Sequence, residues 1–100
     1  MSDNLTDDQL VKLLRDPSTR REAFSQVIHR YQEQLYWQIR KLVIDHEDTS
    51  DVLQNTMLKA WQALDGFRGD SKLSTWLYTI AHNESITFLT KRQAAMDLTI

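Results

Sequence analysis

The sequence predicts an all-α protein, a compact bundle of about four helices. Its 100 residues include only two glycines and one proline, and 41% of the side chains are hydrophobic. Hydrophobic residues recur at steps of three and four over long stretches, which is the period of an amphipathic helix. No stretch alternates between apolar and polar residues as a half-buried strand does. A chain of this length can build one modest core, so we expect a single domain.

The first two helices are expected on either side of Pro17. Thr6 and Gln9 have the spacing of a capping box, and apolar residues of a short helix follow them. Proline disfavours helical geometry in the residue before it, so this helix should stop at the Asp16–Pro17 step. Thr19 and Glu22 have the spacing of a second capping box. The helix after them should end near Ile44, and its apolar stripe contains Phe24, Val27, Ile28, Tyr31, Leu35, Ile39 and Leu42.

Tyr36 and Trp37 fall off the stripe of the second helix. Large aromatic side chains away from the core face are expected to cover another helix or to meet a partner. The sequence leaves both possibilities open.

The third and fourth helices are separated by the two glycines, Gly66 and Gly69. Asp48 or Thr49 is expected to cap the third helix, with Asp51 near its positive end. The apolar stripe of this helix contains Leu53, Met57, Ala60, Trp61 and Leu64. Asp70 or Ser71 is expected to cap the fourth helix, whose apolar positions are Leu73, Trp76, Leu77, Ile80, Ala81 and Phe88.

Composition narrows the classes of function. A net charge of −2 argues against an autonomous binder of duplex DNA, because such modules are usually strongly basic. The chain has no cysteine, and its three histidines lie on different segments, so we expect no metal and no cofactor. It has no glycine-rich phosphate loop and no nucleophile elbow, which makes an enzyme improbable. No signal-like or membrane-length apolar run is found, so we expect a cytoplasmic protein without membrane insertion.

The fourth helix has a second face that is polar but almost uncharged. Amide, hydroxyl and imidazole groups suit base edges, and aromatic rings suit the stacking of unpaired bases. In the loop before this helix, Arg68 and Lys72 are placed to hold a phosphate. The pattern favours a pocket for single-stranded bases, although an ordinary solvated helix face has a similar composition. The face contains Thr75, Tyr78, Thr79, His82, Asn83, Ile86 and Thr90.

Three segments, in this order, resemble region 2 of bacterial RNA polymerase sigma factors of the extracytoplasmic function class. They are "AFSQVIHRYQEQLYWQIRKLV", "DTSDVLQNTMLKAWQALDGF" and "STWLYTIAHNESITFLTKR". The resemblance runs from about Leu5 to Arg92. It therefore implies a region 2 domain over residues 1–92, with residues 93–100 starting a linker toward a region 4 domain that the sequence does not contain. Its most specific parts are Asp51-x-x-Gln54, Lys59-Ala60-Trp61, Phe67 and Trp76-Leu77-x-x-Ile80-Ala81-x-Asn83.

The resemblance implies roles for individual residues. Asp51, Gln54 and Asn55 correspond to the helix that docks on the coiled coil of the polymerase β′ subunit. Phe67 to Tyr78 correspond to the loop and helix start that capture a base flipped from the promoter −10 element, and Asn83 to an asparagine that contacts bases there. Together with the polar face and the basic residues that bracket it, the resemblance gives the expected DNA-binding residues: Phe67, Arg68, Lys72, Trp76, Tyr78, Thr79, His82, Asn83, Lys91 and Arg92.

The chain departs from the usual pattern of the family at four positions. Thr79 and Thr90 stand where relatives often carry arginine, Thr87 where many carry aspartate, and Asn55 where glutamate is frequent. These differences leave the preferred −10 sequence open.

The function that the resemblance implies is to dock on RNA polymerase core and to recognise and melt the −10 element, read as a single non-template strand. An anti-sigma factor is a further expected partner. The main alternative is a helical adaptor or decoy that binds polymerase or an anti-sigma factor without reading DNA. A duplex-reading regulator is disfavoured by the charge and by the lack of a short turn between two recognition helices. For Asn83, the alternative role is a local hydrogen bond that stabilises its helix or the loop.

Overall fold

The computed structural model describes residues 5–98, and four α-helices account for most of them. The helices are α1 (Asp7–Arg15), α2 (Arg20–Val43), α3 (His46–Gln62) and α4 (Leu73–Leu98), and a 3-10 turn lies at Leu64–Gly66. The prediction of an all-α bundle of about four helices is confirmed, and no strand occurs between residues 5 and 98. Residues 1–4 of the expected domain and 99–100 of the expected linker lie outside the described residues. Because α4 continues unbroken to Leu98, the domain boundary at residue 92 stays a prediction.

The core lies where α2, α3 and α4 pack against one another, and α1 packs against α2. On α2 every fourth residue is buried, which is the row of side chains that helices use to interdigitate. On α3 and α4 several of the buried residues are small. The α2 row is Ala23, Val27, Tyr31, Leu35, Ile39 and Val43. The α3 and α4 residues are Thr49, Val52, Thr56, Ala60, Leu73, Leu77, Ala81 and Ser85.

The predicted stripe of α3 is confirmed at Ala60 and Leu64 but not at Trp61, which is 39% exposed, and buried hydroxyls explain part of the difference. Thr56 is fully buried, and its hydroxyl donates to the Val52 carbonyl at 2.8 Å. A threonine that bonds to its own helix can occupy a core position without an unpaired polar group. Leu53 and Met57 are consequently only half-buried at the flanks of the core. On α2, similarly, Phe24, Ile28 and Leu42 flank the buried row rather than form it.

The capping box at the start of α1 is confirmed, whereas the second one is wrong. Gln9 N–H donates to the Thr6 hydroxyl at 3.2 Å, and Thr6 N–H donates to the Gln9 side-chain oxygen at 2.8 Å. Thr19 instead has a helical backbone, and its side chain caps no N–H group of α2. Its hydroxyl donates to the Leu13 carbonyl at 2.7 Å, so it closes the end of α1.

The predicted caps of the third and fourth helices also need correction. Asp45 caps α3, because its carboxylate accepts from the Asp48 N–H at 3.0 Å. The helix therefore starts earlier than expected. The helix dipole acts most strongly within the first turn, and Asp51 lies beyond that turn. α4 starts at Leu73, so neither Asp70 nor Ser71 immediately precedes it.

The corner between α2 and α3 is strained at Ile44. This residue has φ 77° and ψ −50°, and the Asp45 N–H donates to the Val43 carbonyl at 2.9 Å. The result is a three-residue turn with positive φ, a conformation that a β-branched residue rarely adopts. The side chain is 74% exposed, so packing does not offset the strain.

Replacing Ile44 with glycine is expected to stabilise the fold. Relief of a left-handed backbone in an L-residue is worth about 1–2 kcal/mol, and the added freedom of the unfolded chain costs about 0.5–1 kcal/mol. The free energy of unfolding should rise by about 0.5–1 kcal/mol in urea titrations. Ile44→Ala keeps a Cβ atom and is the matched control, which should show no comparable gain. A loss of stability in the glycine variant would contradict the strained turn.

The start of α1 is held to α2 by polar contacts around Asp7. Tyr31 donates its hydroxyl hydrogen bond to one Asp7 oxygen, and Arg30 contacts the other at 2.9 Å. Arg30 also donates to the Leu5 carbonyl at 2.5 Å. Burial, followed by the hydrogen bond and the charge of Asp7, raises the pKa of Tyr31 from 10.0 to about 12.

This shift predicts a loss of stability at alkaline pH. The unfolded tyrosine ionises with a pKa of 10.0, whereas the folded one resists ionisation until about pH 12. The contribution of Tyr31 is therefore fully present below pH 10 and falls as the pH rises toward 12. In urea titrations at about pH 9 and about pH 11, the free energy of unfolding of Tyr31→Phe should change less with pH than that of the parent. An equal change of the free energy of unfolding with pH in both proteins would contradict the raised pKa of Tyr31.

Candidate nucleic-acid interface

The loop before α4 is anchored by aromatic stacking. The Phe67 ring lies against Trp76, with centroids 4.5 Å apart and planes at 28°. Phe67 is only 6% exposed, so in this conformation its ring is not open to a base. Gly69 has φ +80°, and a Cβ atom there would lie 3.4 Å from the Val11 side chain. Phe67 and Gly69 therefore fix the path of the loop, and the exposed part of Trp76 belongs to its outer surface.

The two cations of this loop lie near the start of α1. Arg68 and Lys72 are exposed and line a groove of about 550 Å³ together with Lys12. Asp7 and Asp8 line the same groove, so the surface is mixed in charge. Among residues 5–98, neither Arg68 nor Lys72 has an ion-pair partner. Both side chains are available to a phosphate.

Most residues of the predicted polar face of α4 are exposed, and Tyr78, which is half-buried, is tied to α2. The Tyr78 hydroxyl donates to the Gln34 side-chain oxygen at 2.5 Å, and the Tyr78 carbonyl accepts from the Gln38 amide at 3.0 Å. Thr79 is exposed and donates its hydroxyl to the Thr75 carbonyl at 2.8 Å, so only its acceptor capacity faces solvent.

Asn83 and His82 are exposed on the same helix, one turn after Tyr78. The Asn83 amide makes no hydrogen bond to any of the described side chains or backbone groups. The alternative role for Asn83, a local stabilising hydrogen bond, is therefore absent from the structure. The amide can offer both a donor and an acceptor to a ligand.

Lys91 and Arg92 do not join this cluster. They lie about 30 Å along α4 from Lys72, at 1.5 Å per residue. Arg92 contacts Asp48 on α3 at 3.3 Å and faces the corner around Ile44. The predicted DNA-binding set therefore divides into a group around the loop and the first turns of α4, and a separate pair near its far end.

The predicted polymerase-binding residues share one outward face of α3. Asp51, Gln54 and Asn55 are all exposed, on the side opposite the buried Val52 and Thr56. None of the three makes a side-chain hydrogen bond within residues 5–98.

Sequence reasoning missed one member of this face, Leu58. It lies one turn beyond Gln54 and is 55% exposed. The signal was an apolar residue that falls outside the core stripe. We call Asp51, Gln54, Asn55 and Leu58 the docking face.

No other chemistry is prominent in the described chain. Between residues 5 and 98 no group of three or more histidine and carboxylate side chains is placed to hold a metal ion. Within the same range, none of the helices combines the length and apolar character needed to cross a bilayer. Residues 5–98 thus form a helical domain with two separate exposed polar surfaces, one around the loop and the first turns of α4 and one on α3.

Comparison with known proteins identifies the family. The Sigma-70 region 2 family matches residues 27–95. ECF RNA polymerase sigma-E factors of Salmonella typhimurium (strain LT2) and Escherichia coli (strain K12) are 39% identical over 89 residues, which cover 89% of this chain and 45% of each relative. The sigma-E factor of Haemophilus influenzae is 34% identical over 90 residues, which cover 90% of this chain and 46% of that protein.

A solved structure is also similar. It is the NMR structure of the complex formed by an engineered region 2 of sigmaE with GTAAAA, with a TM-score of 0.81 and 35% identity. The match covers 93% of this chain and 95% of that one. The chain belongs to the Sigma-70 region 2 family, as a domain of the extracytoplasmic function class. It spans about half the length of the curated relatives it matches.

Proposed function

We propose that this domain docks on RNA polymerase core and recognises and melts the promoter −10 element by binding its non-template strand. The observation that carries the DNA-reading part is the Asn83 amide, which is exposed one turn after Thr79 and makes no hydrogen bond within residues 5–98. An exposed amide is suited to reading an unpaired base, since it can pair with a base edge while an aromatic ring elsewhere on the surface supplies stacking.

Melting of the DNA becomes favourable when contacts to the flipped bases offset the free energy of unstacking them. Unstacking a base costs a few kcal/mol, and each base stacked on an aromatic side chain returns about 1–3 kcal/mol. The stack of Phe67 on Trp76 holds the loop in one conformation before DNA arrives, which lowers the ordering cost of binding. Arg68 and Lys72 are close enough to the start of α4 to hold a neighbouring phosphate.

The two surfaces support simultaneous binding of two partners. The docking face is on α3, whereas the reading residues are on α4 and the loop before it. With a net charge of −2, the domain gains little from general attraction to phosphates. Polymerase core would then supply much of the phosphate binding, and the domain would supply base recognition.

Other parts of the proposal follow from the family. Sigma factors are non-enzymatic regulators, so we assign the chemistry of transcription to the polymerase. We place the protein in the cytoplasm, where polymerase and promoters are found. An anti-sigma factor that covered Asp51, Gln54 and Leu58 would block docking directly. Residues 93–100 are assigned to the start of a linker toward region 4, which is consistent with relatives about twice as long.

The proposal predicts a preference for single strands. The isolated domain should bind a labelled single-stranded GTAAAA oligonucleotide, the hexamer found with the similar structure, more tightly than the matching duplex at physiological salt. Too few cations line any one face to release many counterions from duplex DNA. Fluorescence anisotropy measures both affinities. Tight, sequence-specific binding of duplex DNA by the domain alone would contradict the proposal.

A further inference from the structure

A groove between α2 and α4 lies outside the residues assigned above, except for Tyr78. Its volume is about 730 Å³, and its α2 side is lined by Gln34, Trp37, Gln38 and Lys41. These residues follow one another at helical steps of three and four, so they form one face of α2. With Arg30, Glu33 and Tyr78, the lining combines two aromatic rings, two amides, two cations and one carboxylate.

Trp37 is an exposed ring that is nevertheless held in place. It is 53% exposed, although the Tyr36 ring packs perpendicular to it with centroids 5.2 Å apart. Arg40 lies 5.9 Å from the centre of each of these rings. Tyr36 itself is fixed, because its hydroxyl meets His46 Nδ1 at 2.5 Å and accepts from Arg40 at 2.8 Å. Of the two possibilities left open for this aromatic pair, Tyr36 therefore covers the start of another helix, α3, whereas Trp37 stays exposed.

The groove is continuous with the proposed reading face. Gln34 and Gln38 contact the hydroxyl and the carbonyl of Tyr78, so the same tyrosine belongs to both surfaces. α2 and α4 run in the same direction, since Tyr31 packs on Tyr78 while Val43 and Arg92 line a common pocket. A strand that passes Tyr78 can therefore continue along the groove toward Trp37.

The charges of the groove suit a phosphate at one position. Arg30 and Glu33 also line the groove; Arg30 is already paired with Asp7 at 2.9 Å, and Glu33 lies two turns before Lys41 on α2. Lys41 is exposed and has no ion-pair partner among residues 5–98. It lies one turn beyond Trp37 on the same face, so it can reach a backbone phosphate beside a stacked base.

We infer that this groove binds a second unpaired nucleotide of the strand that α4 reads, with the base stacked on Trp37 and its phosphate held by Lys41. The inference rests on the proposed function, because it extends the path of the same strand. Stacking on an aromatic ring tolerates any base, so this contact adds affinity without strong sequence preference. A protein segment could also use an exposed tryptophan as an anchor. We favour DNA because the groove is continuous with Tyr78 and carries a free cation.

The test measures binding of the 100-residue chain to a labelled single strand of about 12 nucleotides, GTAAAA followed by thymines. Trp37→Ala should weaken binding by about 5- to 100-fold, and Trp37→Phe should restore most of it, since one stacked base is lost and then regained. Lys41→Ala should weaken binding and reduce the salt dependence by the equivalent of about one phosphate contact. His29→Ala removes an exposed ring two turns earlier on α2 and should bind as the parent does.

Cross-linking gives an independent measurement. Single 5-iododeoxyuridines placed in the thymine tract should cross-link to the peptide that contains Trp37, read by mass spectrometry. Cross-links confined to α4 and its loop, with Trp37→Ala within about twofold of the parent, would overturn the inference. If Asn83→Ala still weakens binding in that case, the proposed function stands without the second site. If the parent protein binds no single-stranded DNA, both the proposed function and the inference of a second site fail.

A protein-binding groove gives a different pattern. Trp37→Ala would then leave the oligonucleotide affinity unchanged and lower the affinity for core polymerase, which would also overturn the inference.

Discussion

The double variant Asp51→Ala/Gln54→Ala is expected to bind RNA polymerase core at least about tenfold more weakly than the parent. Truncation of interface hot-spot residues typically costs about 2 kcal/mol or more. Both side chains are exposed and unpaired within the described chain, so their removal should change the free energy of unfolding little. Asp51 lies past the first turn of α3, and loss of its charge should not weaken the helix end.

Surface plasmon resonance with immobilised core polymerase measures this loss. Leu58→Ala is expected to add to it, because an apolar side chain in the middle of a polar docking face gains most from burial in an interface. Ser25→Ala/His29→Ala, a pair of exposed residues one turn apart on α2, is the matched control. Retention of core binding by the folded Asp51→Ala/Gln54→Ala variant would remove the docking assignment.

Asn83→Ala is expected to abolish discrimination at one position of the −10 element while leaving the fold intact. Loss of a specific base contact costs about 1–3 kcal/mol in discrimination, or roughly 5- to 150-fold. The amide has no partner among the described residues, so the free energy of unfolding should stay within about 0.5 kcal/mol of the parent.

Permanganate footprinting with core polymerase, across variants of each −10 base, distinguishes a reading role from a structural one. Gln32→Ala removes an exposed amide on α2 and serves as the control. If the Asn83→Ala protein melts every variant as the parent does, Asn83 is not a reader. If it instead unfolds at a lower temperature, a structural role takes the place of the reading role.

Much of the fold could be predicted because hydrophobic periodicity and turn residues act locally. Pro17 and the two glycines separate the helices, and the Thr6–Gln9 pair caps α1 as its spacing predicts. Which face of each helix is buried was harder to predict from the sequence. Thr49 and Thr56 are buried because their hydroxyls bond to carbonyls of the preceding turn, a geometry that residue polarity alone does not reveal.

The sequence could predict which residues of α4 belong to the candidate site, but not which side chains of other helices contact them. Spacing along α4 places Thr79 and Asn83, four residues apart, on one side of the helix. It could not reveal that Gln34 and Gln38 fasten Tyr78 to α2, because that contact joins residues about 40 positions apart. The stacking of Phe67 on Trp76 was not apparent either, because it depends on the path of the loop between them. Long-range packing decides which side chains of a motif face a ligand and which support it.

The central claim is that the domain, docked on polymerase core, holds the non-template strand of the −10 element as a single strand. The most direct measurement is the anisotropy of two labelled single strands, GTAAAA and its complement TTTTAC, titrated with core polymerase plus this chain. We expect the chain to increase binding of GTAAAA and not of the complement, and Asn83→Ala to reduce that increase. Equal binding of both strands, or no gain for GTAAAA when the chain is bound to core, would contradict the account and favour an adaptor that does not read DNA.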